Sequence, residues 1–292
     1  MPNTVRKELL KNAVKTVLIR SNTEVSSDVT EALTEARAKE TNPRGQKNLD
    51  ILIENAKTAA KTHGVICQDT GVPTFFVKTS LGFPFDGDLR EVFDEAVREV
   101  TMEFPLRPMI VDPITRKDRC DNTGDNIPLI HIDLEPGLDY MEIKSCPKGA
   151  GSGIWSQVHF FAPTEGMTAV KKFVVDSVLR AGSNPCPPVI VGVGLGGPLE
   201  EVARLATKAS FRPLSERSPR KDVAALEQEL KDALNMSQIG PMGMGGDTTV
   251  LAVNVECSGT HKPWLPCAVN INCWPGRKAV IRVYRDGRIE EL

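Results

Sequence analysis

Val189-Ile190-Val191-Gly192-Val193-Gly194-Leu195-Gly196-Gly197-Pro198-Leu199 is the stretch that decides the fold class. A short β-branched apolar run enters a glycine turn, and apolar residues at helical spacing follow from Leu199 to Ala209. This predicts a buried strand over Val189 to Val193 that feeds a helix, the unit from which α/β folds are built. The glycines also match Gly-x-Gly-x-x-Gly, the fingerprint of a dinucleotide-binding turn. Two observations count against a nucleotide-dependent oxidoreductase. The motif sits deep in the chain, and no acidic residue ends a second strand about 20 residues on, where a ribose would need it. The better reading is a tight turn just after Cys186 whose glycines let the backbone approach a cofactor or an anion.

Outward from this stretch the same alternation continues. Toward the C-terminus, Val223 to Leu234 is an amphipathic, solvent-rimmed helix, and Val250 to Val255, Ala268 to Ile271 and Ala279 to Tyr284 are predicted to complete the sheet. Asp286-Gly287 marks a hairpin turn. Toward the N-terminus come a helix over Met167 to Leu179, strands Ile127 to Leu134 and Tyr140 to Ile143 paired through the turn Glu135-Pro136-Gly137, a helix over Leu89 to Phe104, and a strand over Pro73 to Val77. The first sixty or so residues read as helices: Val5 to Ile19, a second capped by Ser26 or Ser27 through Ala38, and a third from Leu49 to Thr62 that ends near Gly64. The expectation is one α/β domain over 1–292, a mixed sheet in 65–292 behind a mainly helical N-terminal layer in 1–64.

Composition narrows the class. Hydrophobic residues make up 40 % of the 292 and charged residues 25 %, ordinary values for a globular chain. A formal net charge of −2 offers no field for nucleic acid or an anionic membrane. The N-terminus carries charges where a signal peptide needs its apolar core, and no apolar run approaches the roughly 20 residues that span a bilayer. The expected location is cytoplasmic, where seven cysteines stay reduced.

Three of those cysteines stand at the edges of apolar runs beside glycine, proline or short polar segments. They are Cys67 in Ile-Cys-Gln-Asp-Thr-Gly, Cys186 in Asn-Pro-Cys-Pro-Pro and Cys273 in Asn-Ile-Asn-Cys-Trp-Pro-Gly. No close Cys-x-x-Cys pair marks a zinc ribbon or a thioredoxin site. Three dispersed thiolates that meet on folding suit a [4Fe–4S] cluster with one iron left open, although spacing alone does not separate this from small buried hydrophobes. Cys120, Cys146, Cys257 and Cys267 are read as the latter. Asp69 and Gln68 directly follow Cys67. A carboxylate there would serve as acid or base; alternatively it caps the Thr70-Gly71 turn. Of four histidines, His131 reads as a satisfied core residue and His159 lies in an aromatic run. His261, in the loop Ser-Gly-Thr-His-Lys-Pro ahead of Cys273, is the candidate substrate contact. A second glycine-rich stretch, Ile239 to Thr249, lacks the Gly-Lys-Ser/Thr of a phosphate loop and reads as a connection or a cleft-lining loop.

From about Leu49 to Val283 the chain resembles the alpha subunit, equivalent to the N-terminal domain, of the iron–sulfur class I fumarate hydratases and L-tartrate dehydratases. The matches are Cys67-Gln68-Asp69-Thr70-Gly71, Leu106-Arg107-Pro108 with Val111-Asp112-Pro113, and Asn122-Thr123-Gly124-Asp125-Asn126-Ile127-Pro128. Cys186-Pro187-Pro188 with Gly192 to Gly197, Gly243 to Gly246 with Thr248, and His261 through Leu265-Pro266 to Cys273 complete them. The resemblance implies cluster ligation by Cys67, Cys186 and Cys273, an acid–base role for Asp69, and substrate contacts from Gln68, Arg107, His261 and the backbone near Gly151. It implies fumarate–malate hydration, or the same chemistry on L-tartrate or a related acid, and a beta subunit in an assembly built on an alpha–alpha dimer within a heterotetramer. The chain stops where the family's other part begins, so an incomplete enzyme is expected, or, in another class, a non-catalytic or regulatory cluster-binding subunit. Two further departures bear on the substrate. Lys148-Gly149-Ala150-Gly151-Ser152-Gly153-Ile154-Trp155-Ser156 replaces the usual Lys-Gly-Gly-Gly-Ser-Glu-Asn, and there is extra sequence around Lys117 to Asp121.

Overall fold

The computed structural model describes residues 4–292. The chain opens with β1 (Val5–Arg6), α1 (Lys7–Thr23), α2 (Ser27–Lys39), α3 (Pro43–Thr62), β2 (Thr74–Thr79), β3 (Phe85–Asp86) and α4 (Leu89–Glu103). It continues with β4 (Leu129–Leu134), β5 (Tyr140–Ser145), α5 (Ala150–Gly153), β6 (Gln157–Phe161), α6 (Gly166–Ala181) and β7 (Val189–Leu195). The last elements are α7 (Leu199–Ser210), α8 (Lys221–Asn235), β8 (Val250–Cys257), β9 (Leu265–Asn272), β10 (Ala279–Tyr284) and β11 (Ile289–Glu291). The α/β class expected from the sequence is the one adopted. The chain gathers into two compact units: the residues through Val25 with Thr58–Gly149 and Arg277–Leu292 form the first, and Ser26–Lys57 with Ala150–Gly276 the second. No helix among the described residues is long and apolar enough to cross a membrane.

In the first unit a five-stranded sheet runs β11-β10-β5-β2-β4, with a separate two-stranded ribbon of β1 and β3. Helices α1 and α4 supply its core. Leu10, Val14, Val17 and Leu18 recur on one stripe of α1, and Val92, Phe93, Ala96, Val97 and Val100 on one stripe of α4. They bury against Phe75 and Val77 of β2, Ile143 of β5 and Ile281 of β10. Phe75 meets Phe93 edge to face at 4.8 Å.

Two strand pairings differ from expectation. β4 and β5 do not form a hairpin: β2 lies between them, parallel to β4 and antiparallel to β5. The reason is burial. β2 contributes fully buried Phe75 and Val77, whereas β4 exposes Leu129, Ile132 and Leu134 and takes the edge. β10 does not extend the sheet of β8 and β9 but joins β5 in the first unit. It alternates buried Ala279, Ile281 and Val283 with half-buried partners, the pattern of a sheet covered on one face, while β7, β8 and β9 are buried almost throughout.

In the second unit a four-stranded sheet runs β6-β9-β7-β8, with β7 parallel to β8 and antiparallel to β9. Helix α7 packs backbone to backbone on β7. A Cβ on Gly192 would stand 2.1 Å from the Ala206 carbonyl, and one on Gly194 2.1 Å from that of Val202. These glycines make room for a helix. Val170, Val174 and Val178 of α6 and Val223, Leu230 and Leu234 of α8 join the same core as Val191, Val193 and Val253. Fully buried Glu227 accepts from Val255 N–H at 2.9 Å and pairs with Arg212, tying α8 to β8.

Candidate active site

The first unit carries the Cys67–Gly71 loop on the approach to β2. Cys67 and Gln68 are exposed, Asp69 is half-buried, and Thr70 and Gly71 are buried. Asp69 Oδ1 accepts from the Gly71 N–H at 2.9 Å, the local turn cap anticipated as the plainer role of this carboxylate. Its other oxygen lies against Gly149, where an added Cβ would be 2.9 Å from Asp69 Oδ2 and 3.4 Å from Arg277 Nη2. Gly71 has a left-handed φ of 77°, and a Cβ there would strike the Lys148 carbonyl carbon at 2.6 Å. The Val72–Lys148 backbone bridge holds the two segments together.

Arg107 is fixed from both sides while its side chain stays exposed. Its N–H donates to Thr70 Oγ1 at 2.9 Å, and its carbonyl accepts from Asn122 Nδ2 at 3.1 Å. Asn122 is itself buried and accepts from the Met109 N–H at 2.8 Å. Cys67, Gln68, Asp69 and Arg107 are thus carried by neighbouring segments of one unit. The extra segment around Lys117 and Arg119 lines a groove of about 760 Å³ with Asp112 and Asp125.

The second unit gathers Cys186, Cys273 and Gly151. Cys186 has a left-handed φ of 54°, rare outside glycine. Its N–H donates to the Ser183 carbonyl at 3.1 Å, and its carbonyl accepts from Trp274 N–H at 3.2 Å, beside Cys273. Cys273 in turn accepts from Gly276 N–H at 3.0 Å. Gly151, in α5, lies where a Cβ would be 3.3 Å from the Asn184 carbonyl. The second glycine-rich loop closes on the same turn: Met242 N–H donates to the Pro187 carbonyl at 2.7 Å. Glu40, also buried, clamps that loop by accepting from the N–H groups of Asp247 and Thr248 at 2.8 and 3.1 Å.

His261 falls elsewhere in this unit. The Cys186 turn precedes the Val189 end of β7, whereas the loop bearing His261 joins β8 to β9 at the Leu195 end, where Leu195 stands opposite Cys257 and Cys267. Seven strand residues, at roughly 3.3 Å each, separate those ends by about 20 Å. The exposed His261 ring instead meets Trp264 at 5.6 Å. The Gly192–Gly197 segment lies along the same strand and leads away from Cys186. A Cβ on Gly196 would come within 2.3 Å of the Ser258 carbonyl, so that turn is filled by protein.

The cysteines divide by environment. Burial pushes the thiols of Cys146 and Cys267 up to about 12 and raises that of Cys257 as well. These stay protonated, poor ligands. Cys67 is exposed and Cys186 and Cys273 half-buried, each on a loop, and no cysteine among the described residues is in a disulfide. No three His, Cys, Asp or Glu side chains among the described residues are grouped as they would be around a single metal ion.

Sequence reasoning quoted Thr70, Asn122 and Gly149 only within motifs, without a role of their own, and missed Arg277 and Glu40. Arg277 had a visible signal: a lone arginine closing Cys273-Trp-Pro-Gly-Arg between two apolar strands.

A sequence profile of the family described as fumarate hydratase (Fumerase) matches residues 11–282. A Methanocaldococcus jannaschii protein named "Putative L(+)-tartrate dehydratase subunit alpha" is 40 % identical over 265 residues, 90 % of this chain and 93 % of its own. The L(+)-tartrate dehydratase subunit alpha of Escherichia coli strain UTI89 is 34 % identical over 271 residues, 93 % of this chain and 89 % of its own. The homologue of the same name in strain K12 is 33 % identical over the same length. With a profile match over most of its length and relatives of this similarity covering nine-tenths of it, the chain belongs to the fumarate hydratase family of hydro-lyases.

Proposed function

We propose that this hydro-lyase chain is the alpha subunit of a [4Fe–4S]-dependent enzyme that interconverts fumarate and malate, working with a beta subunit on an alpha–alpha dimer within a heterotetramer in the cytoplasm. The observation that carries the proposal is the paired placement of loop cysteines and polar groups. Cys186 and Cys273 are joined through Trp274 N–H in one unit, and in the other Cys67 opens the loop of Gln68 and Asp69, to which the Arg107 segment is tethered through Thr70. The donor set suits the cluster: three loop thiols that reach the surface, in contrast to the deep, protonated Cys146 and Cys267. Thiolates on separate irons do not converge on one point, so the lack of a single-ion ligand group among the described residues is compatible with it.

Cys67, Cys186 and Cys273 would hold the cluster, which when bound would supply an open iron as Lewis acid for the hydroxide that leaves C2. Arg107 would grip a substrate carboxylate in two parallel hydrogen bonds and fix its register. Gln68 and the backbone at Gly151 would orient the same molecule. Asp69 would take the C3 proton of malate and return it in the hydration direction. Its Oδ1 accepts from the Gly71 N–H, and its Oδ2 lies beside Gly149 and Arg277. His261 stands apart from Cys186 and Cys273 in its unit, and unchanged kinetics in His261→Ala would remove it from the site.

L-tartrate is the second reading, favoured by the names of the relatives and by the altered Lys148–Ser156 segment. The test is a side-by-side assay of fumarate, malate, L-tartrate and mesaconate with the assembled enzyme, with Asp69→Asn alongside. Fastest turnover of fumarate and malate, abolished in Asp69→Asn with iron retained, is expected. Fastest turnover of tartrate selects the second reading, and near-normal turnover in Asp69→Asn takes that residue out of the mechanism. No dehydration of any of the four with the beta subunit present would point to a non-catalytic, regulatory subunit.

A further inference from the structure

A continuous chain of hydrogen bonds in the first unit, buried up to Thr70, ends on Arg107. It starts at the C-terminal part of α1, where Asn22 Nδ2 donates to the Leu18 carbonyl at 2.9 Å. Asn22 Oδ1 accepts from Arg277 Nη1 at 3.0 Å, and that Nη1 also donates to the Thr70 carbonyl at 3.3 Å. Thr70 Oγ1 then accepts from the Arg107 N–H at 2.9 Å. Asn22 does a second job: its carbonyl accepts from Ile66 N–H at 2.9 Å, so it grips the chain immediately before Cys67. Thr70 is 3 % exposed and Arg277 4 %. A buried guanidinium is costly unless fully engaged, and an apolar residue of similar volume would often serve stability as well. What an apolar residue would not do is hold the Thr70 carbonyl in place.

We infer that Thr70 is a positioning residue for the reaction. Through its hydroxyl it sets the main chain of Arg107, and through its carbonyl it is itself set by Arg277 and Asn22. The carboxylate-binding guanidinium and the neighbouring Asp69 are thereby kept in one register. This rests on the proposed roles of Arg107 and Asp69. Thr70 never touches substrate; it acts through the Arg107 backbone. Its removal therefore shows first in substrate binding, because Arg107 grips a substrate carboxylate and not the reacting bond.

The test compares wild type, Thr70→Val, Thr70→Ser and Arg107→Ala in the assembled enzyme. It measures iron per chain, kcat, KM for the preferred dicarboxylate, and the dissociation constant of succinate, which cannot be dehydrated. Thr70→Val keeps the shape and loses the acceptor. It is expected to retain iron while KM and the succinate dissociation constant rise roughly tenfold, with kcat changed less. Thr70→Ser restores the acceptor and is expected near wild type. If Thr70→Val does not fold, Arg277→Lys stands in, since it keeps the charge but loses the planar fork; the same weakening of succinate is expected. Tight succinate binding in Thr70→Val, with Arg107→Ala weakened, overturns the inference and spares the site. Iron lost from Thr70→Val marks a merely structural role and also overturns it. Tight binding in Arg107→Ala shows that the site itself was misassigned, and the inference falls with it.

Discussion

Gly149→Ala tests the geometry around Asp69. Gly149 is buried and has no left-handed φ, so alanine is allowed there on backbone grounds. The new methyl would stand 2.9 Å from Asp69 Oδ2, where ordinary contact begins near 3.4 Å, so the carboxylate must retreat by about half an ångström. It cannot retreat freely, because Oδ1 is tied to the Gly71 N–H at 2.9 Å. If a misplacement of about 1 Å costs up to a hundredfold, half of that costs about tenfold, or about 1.4 kcal/mol in the barrier. Stability should fall by less than the roughly 1–3 kcal/mol of core overpacking, since the atoms met are side-chain ends. Gly82→Ala, with nothing within 4 Å of its added methyl, is the matched control. The assay is initial rate in both directions on the assembled enzyme, with iron and sulfide measured on the same samples. A kcat for Gly149→Ala within twofold of wild type at full iron content would refute a role for the Asp69 carboxylate in the reaction.

Further outcomes follow from the fold. Glu227→Ala removes the fully buried partner of Arg212 and the acceptor of Val255 N–H; about 3–5 kcal/mol should be lost in urea unfolding, and a loss below about 1 kcal/mol contradicts the account. Cys146 and Cys267, whose folded-state thiols are pushed up to about 12, should resist alkylation between about pH 7 and 9, where exposed Cys120 reacts. Because the folded pKa lies above the reference value of 9.0, their contribution to stability is complete below that value and drains as pH rises toward about 12. Labelling of either in native protein would refute the burial argument. If the chain is the single domain expected from its sequence, it unfolds in one transition. Trp155, Trp264 and Trp274 report on the second unit and Tyr140 and Tyr284 on the first, so separated midpoints for the two signals would contradict it.

Much of the fold was legible because it rests on local pattern. The stripe of α1, the Val189 strand with its helix, the Ala279–Tyr284 strand and the Asp286-Gly287 turn all stand where periodicity and turn chemistry put them. α3 begins at Pro43, six residues ahead of the first apolar residue of the expected helix, because Pro suits a first turn and Gly45 leaves the space that Glu40 fills: a Cβ there would lie 2.7 Å from its carboxylate carbon. Strand pairing was not legible. Whether β2 enters between β4 and β5 depends on which strand is most apolar on both faces, a comparison across the chain. The site shows the same divide. Cys67, Asp69, Cys186 and Cys273 stand in distinctive local sequence. The Asn22–Arg277–Thr70 chain joins residues more than two hundred positions apart and leaves no local trace. His261 looked close to Cys273 along the chain, but the eight residues of β9 between them carry the chain across the sheet.

In the proposed enzyme Cys67, Cys186 and Cys273 hold a [4Fe–4S] cluster. Iron and acid-labile sulfide per chain, on protein purified without oxygen, for wild type and Cys273→Ser, address it directly. About four of each in wild type, lost or degraded in Cys273→Ser, is the predicted result. A stably folded wild type that stays free of iron after anaerobic reconstitution would contradict it.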